Sequence, residues 1–165
     1  IGVRGRDGRL HLMRTGKDAF LLREWLAADA DPRQSGDPSL AEGVSCDEAG
    51  CVVPMADGAL VALALRPEAL SDDCARAALT VTARQAPASC PSPVIDADRL
   101  RRQGALALRR TRDGFAADAV RPKGADRPWS RAIAGETETE TIPARPAAPR
   151  AVDATPAESD QQPED

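Results

Sequence analysis

Asp57-Gly58 lies between two apolar runs, residues 51–56 and 59–66, and this arrangement limits the possible folds more than any other feature of the chain. An Asp-Gly pair supplies the positive φ angles of a tight hairpin turn, so the two runs are read as antiparallel strands. A third strand candidate, 78–84, follows a short helical link over 67–77. Val52, Val53, Leu60, Val61, Leu79 and Val81 make 44–84 the densest apolar region, and it is read as the core sheet.

The rest of the sequence explains why this region must carry the fold. Of 165 residues, 32 are Ala, while Val, Ile, Leu and Phe together number 29, under a fifth of the chain. Spread evenly, so low a share would mean disorder. It is not spread evenly, because almost none of it lies beyond Val120. One domain over 1–130 and a disordered tail over 131–165, rich in Pro, Ala, Glu and Thr, are therefore expected. The tail holds three Arg against eight Asp and Glu, a charge of −5, which leaves the domain near neutral at +1. Neither that balance nor an aromatic content of two Phe, two Trp and no Tyr suits a general nucleic-acid binder. Trp129 is the one large residue able to pin the start of the tail.

Along the chain, 1–5 and 9–14 flank Arg6-Asp7-Gly8 as an edge hairpin with one buried face. Thr15-Gly16-Lys17-Asp18 has the form of a capping box, opening a helix to about Ala28 with Leu21, Leu22, Trp25 and Leu26 on its apolar face. Residues 29–43 read as loop. Ser71-Asp72-Asp73 favours a helix start within the 67–77 link. The three prolines of 85–93 make a second loop, and 94–96 is briefly extended. Asp96 or Asp98 caps a helix through Gln103 that Gly104 ends. Residues 105–110 and 115–121 pair around Arg112-Asp113-Gly114. The fold class is α/β in the broad sense, or α+β: a mixed sheet of hairpins with two or three short helices.

Little in the sequence looks like a catalytic site. His11 is the only histidine, which excludes a His-based metal cluster and most hydrolase triads, and it is read as structural or solvent-facing. Cys46 and Cys51 bracket a four-residue turn that would face their Cβ atoms on adjacent strands. Pairing Cys74 with Cys90 would close a 17-residue loop, worth about 3 kcal/mol in the chain-entropy account. Four cysteines allow three pairings, and free buried thiols or a four-cysteine zinc site are the alternatives. Two disulfides suit a thin core in an oxidising compartment. Arg99, Arg101, Arg102, Arg109, Arg110 and Arg112 form a basic run that could touch phosphate, diluted by Asp96, Asp98 and Asp113 into a solvated face. Asp29, Asp31 and Asp37 lack the spacing of a calcium loop.

Four stretches carry a family resemblance: Lys17-Asp-Ala-Phe-Leu-Leu-Arg-Glu-Trp-Leu, Cys51-Val-Val-Pro-Met-Ala-Asp-Gly-Ala-Leu-Val, Ala78-Leu-Thr-Val-Thr-Ala-Arg and Arg99-Leu-Arg-Arg-Gln-Gly-Ala-Leu-Ala-Leu-Arg-Arg. In this order, and with Cys46, Cys51, Cys74 and Cys90, they resemble the end of the metallo-β-lactamase-like C-terminal domain of ComEC-type competence proteins. These are the DNA-uptake channels of the bacterial inner membrane. The resemblance covers residues 1 to about 130 and implies the second half of a metallo-β-lactamase-like domain. It brings no catalytic residue across. Where an Asp is expected after the second core strand the chain reads Leu65-Arg66-Pro67, and where a His pair is expected after the third it reads Ala83-Arg84-Gln85.

The resemblance implies a non-catalytic portion of a membrane protein, placed on the extracytoplasmic face. Its expected partner is the channel portion of the same or a neighbouring polypeptide, with DNA touched weakly if at all, and no metal, cofactor or small-molecule substrate is expected. The alternatives are a metal-dependent hydrolase or nuclease whose active residues lie upstream, and an unrelated disulfide-stapled interaction module. The chain opens on Ile1 in strand-like sequence with no apolar run long enough to span a membrane, so a start inside a longer reading frame is expected.

Overall fold

The Asp57-Gly58 turn closes as expected in the computed structural model, which describes residues 1–14, 19–124, 128–129 and 140–144. Gly58 adopts φ 83°, Met55 N–H donates to the Ala59 carbonyl, and the Asp57 carboxylate accepts from Ala59 N. The turn joins β4 (Gly50–Pro54) to β5 (Leu60–Ala64) in an antiparallel pair that forms the centre of a five-stranded sheet. The short β3 (Ser45–Cys46) lies outside β4. On the other side β6 (Leu79–Thr82) and β7 (Val94–Ile95) continue the sheet in parallel. A parallel step needs a crossover, and α2 (Ala69–Arg76) supplies the one between β5 and β6.

Alternation along the strands gives this sheet two different faces. One presents Val53, Val61, Leu79 and Ile95 to the main core. The other presents Ala62, Ala64, Thr80 and Thr82, each buried to within 1%, beneath Leu70 and Cys74 of α2. Small side chains there let the helix lie close. The buried hydroxyls are satisfied: Thr80 donates to Ser92 Oγ at 3.1 Å, and Ser92 to the Pro93 carbonyl at 3.1 Å.

A second sheet contributes the opposite wall of the main core. Its strands are β8 (Leu106–Thr111), β9 (Gly114–Ala119) and β10 (Glu140–Pro143), in the order β10-β9-β8. Phe115, Ala117 and Ile142 are its fully buried residues in that core, with Leu106 and Leu108 packed beside them. It is preceded by α3 (Ala97–Gln103), which Asp96 caps through Arg99 N at 2.8 Å and Gly104 ends at φ 74°. A two-stranded hairpin, β1 (Gly2–Arg4) and β2 (Leu10–Leu12), leads to α1 (Ala19–Ala28). Leu12, Leu22, Leu26 and Leu40 form a separate small core there. Among the described residues the chain is thus a mixed α+β fold of three sheets and three α-helices, together with a 3-10 turn at Pro38–Ala41.

Several expectations are corrected. The expected tail contains a strand, since β10 pairs with β9 in four register positions and seats Ile142 at 5% exposure in the main core. Residues 131–139 and 145–165 lie outside the described residues, as does the capping box at 15–18. Trp129 does not pin the chain: it is 78% exposed. The apolar face of α1 is narrower than its sequence suggests, because only the i, i+4 pair Leu22 and Leu26 of its apolar set is buried, while Leu21 and Trp25 stay 44% and 37% exposed. Helix α2 starts ahead of Ser71-Asp72-Asp73, leaving Asp72 in its first turn.

Gly114 shows how closely β10 is seated. A Cβ at this position would stand 2.0 Å from the Ile142 carbonyl oxygen, and its φ of 146° disfavours any other residue. Ile142→Ala should therefore lower unfolding stability by about 2–4 kcal/mol in denaturant titration. Thr141→Ala on the exposed side of the same strand should change it by no more than about 0.5 kcal/mol.

Candidate functional site

The cysteines and the arginine run are the candidate sites that the sequence offers. The cysteines form two disulfides and leave no free thiol among the described residues. Cys46 and Cys51 stand opposite each other in the β3–β4 register with Cα atoms 4.1 Å apart. Asp47 builds the turn between them. Its carboxylate accepts from Ala49 N at 2.7 Å and Gly50 N at 2.8 Å, and these backbone donors hold its pKa below the usual carboxylate value. The second bridge ties Cys74 of α2 to Cys90 in the loop before β7, with Cα atoms 5.1 Å apart. It forms part of an open cleft of about 620 Å³, lined also by Pro67, Leu70, Pro87 and Pro91. Burial, then the neighbouring charges of Asp72 and Asp47, raise the Asp73 carboxyl.

The arginine run is mostly committed to the protein itself. Arg99 pairs with Glu140 at 2.7 Å, Arg101 with Asp98, Arg109 with Asp118 at 3.1 Å and Arg110 with Asp57 at 3.1 Å. Arg110 also lies over the Phe115 ring, 4.9 Å from its centroid. Arg102 and Arg112 are the exposed members with no carboxylate within ion-pair distance among the described residues. Four of six cations are thus neutralised locally, which leaves little field to attract a polyanion.

The ends of β5 and β6 carry arginines that bind the protein's own oxygens. Arg84 donates from Nε to the Leu65 carbonyl at 3.0 Å, and Arg66 meets Glu48 at 3.3 Å. No group of three or more His, Cys, Asp or Glu side chains is placed to hold a metal ion among the described residues. His11 is buried rather than solvent-facing, its Nε2 2.9 Å from Asp7 Oδ1 and its ring against Gly5, and it serves the β1–β2 hairpin.

The expected 29–43 loop contains a polar hub that the sequence did not reveal. Arg33 is 8% exposed and donates to both Asp31 oxygens, to the Ser39 carbonyl at 3.2 Å and to the Leu10 carbonyl at 2.6 Å. Asp37 caps the 3-10 turn through Ser39 N, and Asp29 pairs with Arg4. The acidic trio is therefore structural, tying β2, the loop and β1 together. The Arg33 side chain and backbone N–H hold the Asp31 carboxyl down at about 2.

No protein-family model, curated protein or solved structure matches this chain. No helix among the described residues is long and apolar enough to cross a membrane.

Two outcomes follow from the bridges and the hub. Replacing Cys74 and Cys90 together by Ser should cost about 3 kcal/mol, and replacing Cys46 and Cys51, which close a much shorter loop, about 2 kcal/mol, in denaturant titration. Because the folded pKa of Asp31 lies below its ordinary 3.8, its contribution is complete above that value and is lost as pH falls toward about 2. Asp31→Asn should be less stable than the unaltered chain at pH 7, with the difference shrinking across that acid window in pH-resolved melts.

Proposed function

We propose that this chain is the non-catalytic C-terminal portion of a ComEC-like competence protein and serves DNA uptake at the extracytoplasmic face of a bacterial inner membrane. In this reading it is the second half of a metallo-β-lactamase-like domain that has become a scaffold, docked on the channel portion of the same or a neighbouring polypeptide. The observation that carries the reading is the ordered set of sequence stretches between Lys17 and Arg110 that resembles this family. Two disulfides in a chain with so few large apolar residues support the oxidising side of the membrane. Arg66 and Arg84, where the family's later metal ligands would fall, support the loss of hydrolytic function, since a guanidinium offers a metal ion charge repulsion and no lone pair. DNA contact falls to Arg102 and Arg112, which have no carboxylate partner among the described residues, and would weaken as salt is raised.

The test is an in-frame deletion of residues 1–144 from the gene in a naturally transformable host, with accumulation of the shortened product checked by immunoblot. Transformation should fall to the level of a strain lacking the whole gene. Undiminished transformation would show that the segment has no part in uptake.

A further inference from the structure

The strand β10 is unlike the others in how it is held. Twenty residues of chain, 120–139, separate it from β9, and β9 is its one strand neighbour among the described residues. Its attachment is nevertheless specific at three points. The Glu140 carboxylate is held by Arg99 at 2.7 Å and by the Gln103 side-chain amide. Burial pushes this carboxyl up, but those two partners outweigh it, and it stays below the usual value. Ile142 enters the main core above Gly114, where a Cβ would block the approach, and Ala144 N–H donates to the Asp113 carbonyl at 2.7 Å.

These contacts describe a receptor for an extended peptide. The backbone edge of β9 supplies the ladder, α3 supplies a cation and an amide for a carboxylate, and the core supplies an apolar slot two residues further on. Recognition by strand addition works in this way: the main chain gives affinity and alternate side-chain positions give specificity. We propose that the β9 edge and the Arg99–Gln103 face of α3 form a docking site for an extended strand with a carboxylate two residues before a branched aliphatic residue. The ligand class is such a segment of a partner polypeptide, and residues 140–144 are this chain's own copy, occupying the site in cis. The ligand chemistry is read from the occupant already seated there: the Glu140 carboxylate meets Arg99 and Gln103 of α3, and Ile142 enters the main core. Tethering gives the internal strand an effective concentration of about millimolar order, so a partner gains access only in competition with it. An edge strand with one neighbour belongs to the parts of a fold that open locally without global unfolding.

The test keeps the chain intact until it has folded. A protease site is placed within residues 131–136, the folded protein is cleaved, and release of the strand is followed on dilution. The fragment should dissociate while the body keeps its circular dichroism, and a labelled synthetic peptide of residues 137–146 should then bind the body but not the uncleaved chain. Peptide carrying Glu140→Gln should bind about tenfold more weakly, as expected for a lost charge-assisted hydrogen bond. Peptide carrying Ile142→Asp should not bind measurably. The proposal is overturned if the fragment leaves only when the body unfolds, or if all three peptides bind equally. It is overturned equally if peptide binds cleaved and uncleaved protein alike. Concentration-dependent dimerisation of uncleaved chain that added peptide does not reverse would assign the edge to exchange between copies and overturn the partner assignment.

Discussion

The pairing of β4 with β5 across Asp57-Gly58 is the constraint on which the rest of the structure depends. It fixes which residues face which way: Val53 and Val61 toward the second sheet, Ala62 and Ala64 toward α2. A slip of one residue would exchange the two faces, putting bulky side chains under the helix and alanines in the main core. With so few large apolar residues, the chain has no reserve to repack around such an error. The two bridges flank this pair. One locks β3 against β4, and the other fastens α2 to the irregular segment that leads into β7, so each side of the central pair is covalently limited in how far it can move.

Outside this centre, polar contacts do much of the work that apolar burial does in richer cores. Arg33 gathers a carboxylate and carbonyls from three places in the chain, and its guanidinium is fully engaged although buried. Removing one partner of such an arrangement leaves a buried charge uncompensated, so the hub specifies the course of 29–43 more than it adds net stability. Arg99 and Gln103 do the same for β10.

The sequence made local structure legible wherever local chemistry decides it. The Asp-Gly turn, the Asp96 cap, the Gly104 stop and the alternation of Val and Leu on β4 to β6 all act over a few residues, and the observed elements match them within a residue or two. What could not be read depends on distant partners. Ile142 sits in an acidic, proline-flanked segment whose own composition argues against a strand, and its place is made by the β9 edge at Gly114 and Phe115 and by the main core, all far away in sequence. Arg33 looks like an ordinary loop arginine until the Leu10 carbonyl and Asp31 are brought to it. In the same way, the arginine run reads in sequence as a solvated face diluted by its own Asp96, Asp98 and Asp113, whereas in space Glu140, Asp118 and Asp57 come from elsewhere in the fold to pair with Arg99, Arg109 and Arg110. The cysteines were the legible part of the candidate site, because the turn between Cys46 and Cys51 is itself local.

Native-state hydrogen exchange tests the central claim most directly, that the sheet around β4 and β5 is the structural foundation and the other elements are laid on it. The account predicts that backbone amides of β4, β5 and β6 exchange slowest, at rates set by global unfolding, and that those of β1, β2 and β10 open earlier. Slowest exchange in the β8–β9 hairpin or in α1, with β4 and β5 opening first, would contradict it.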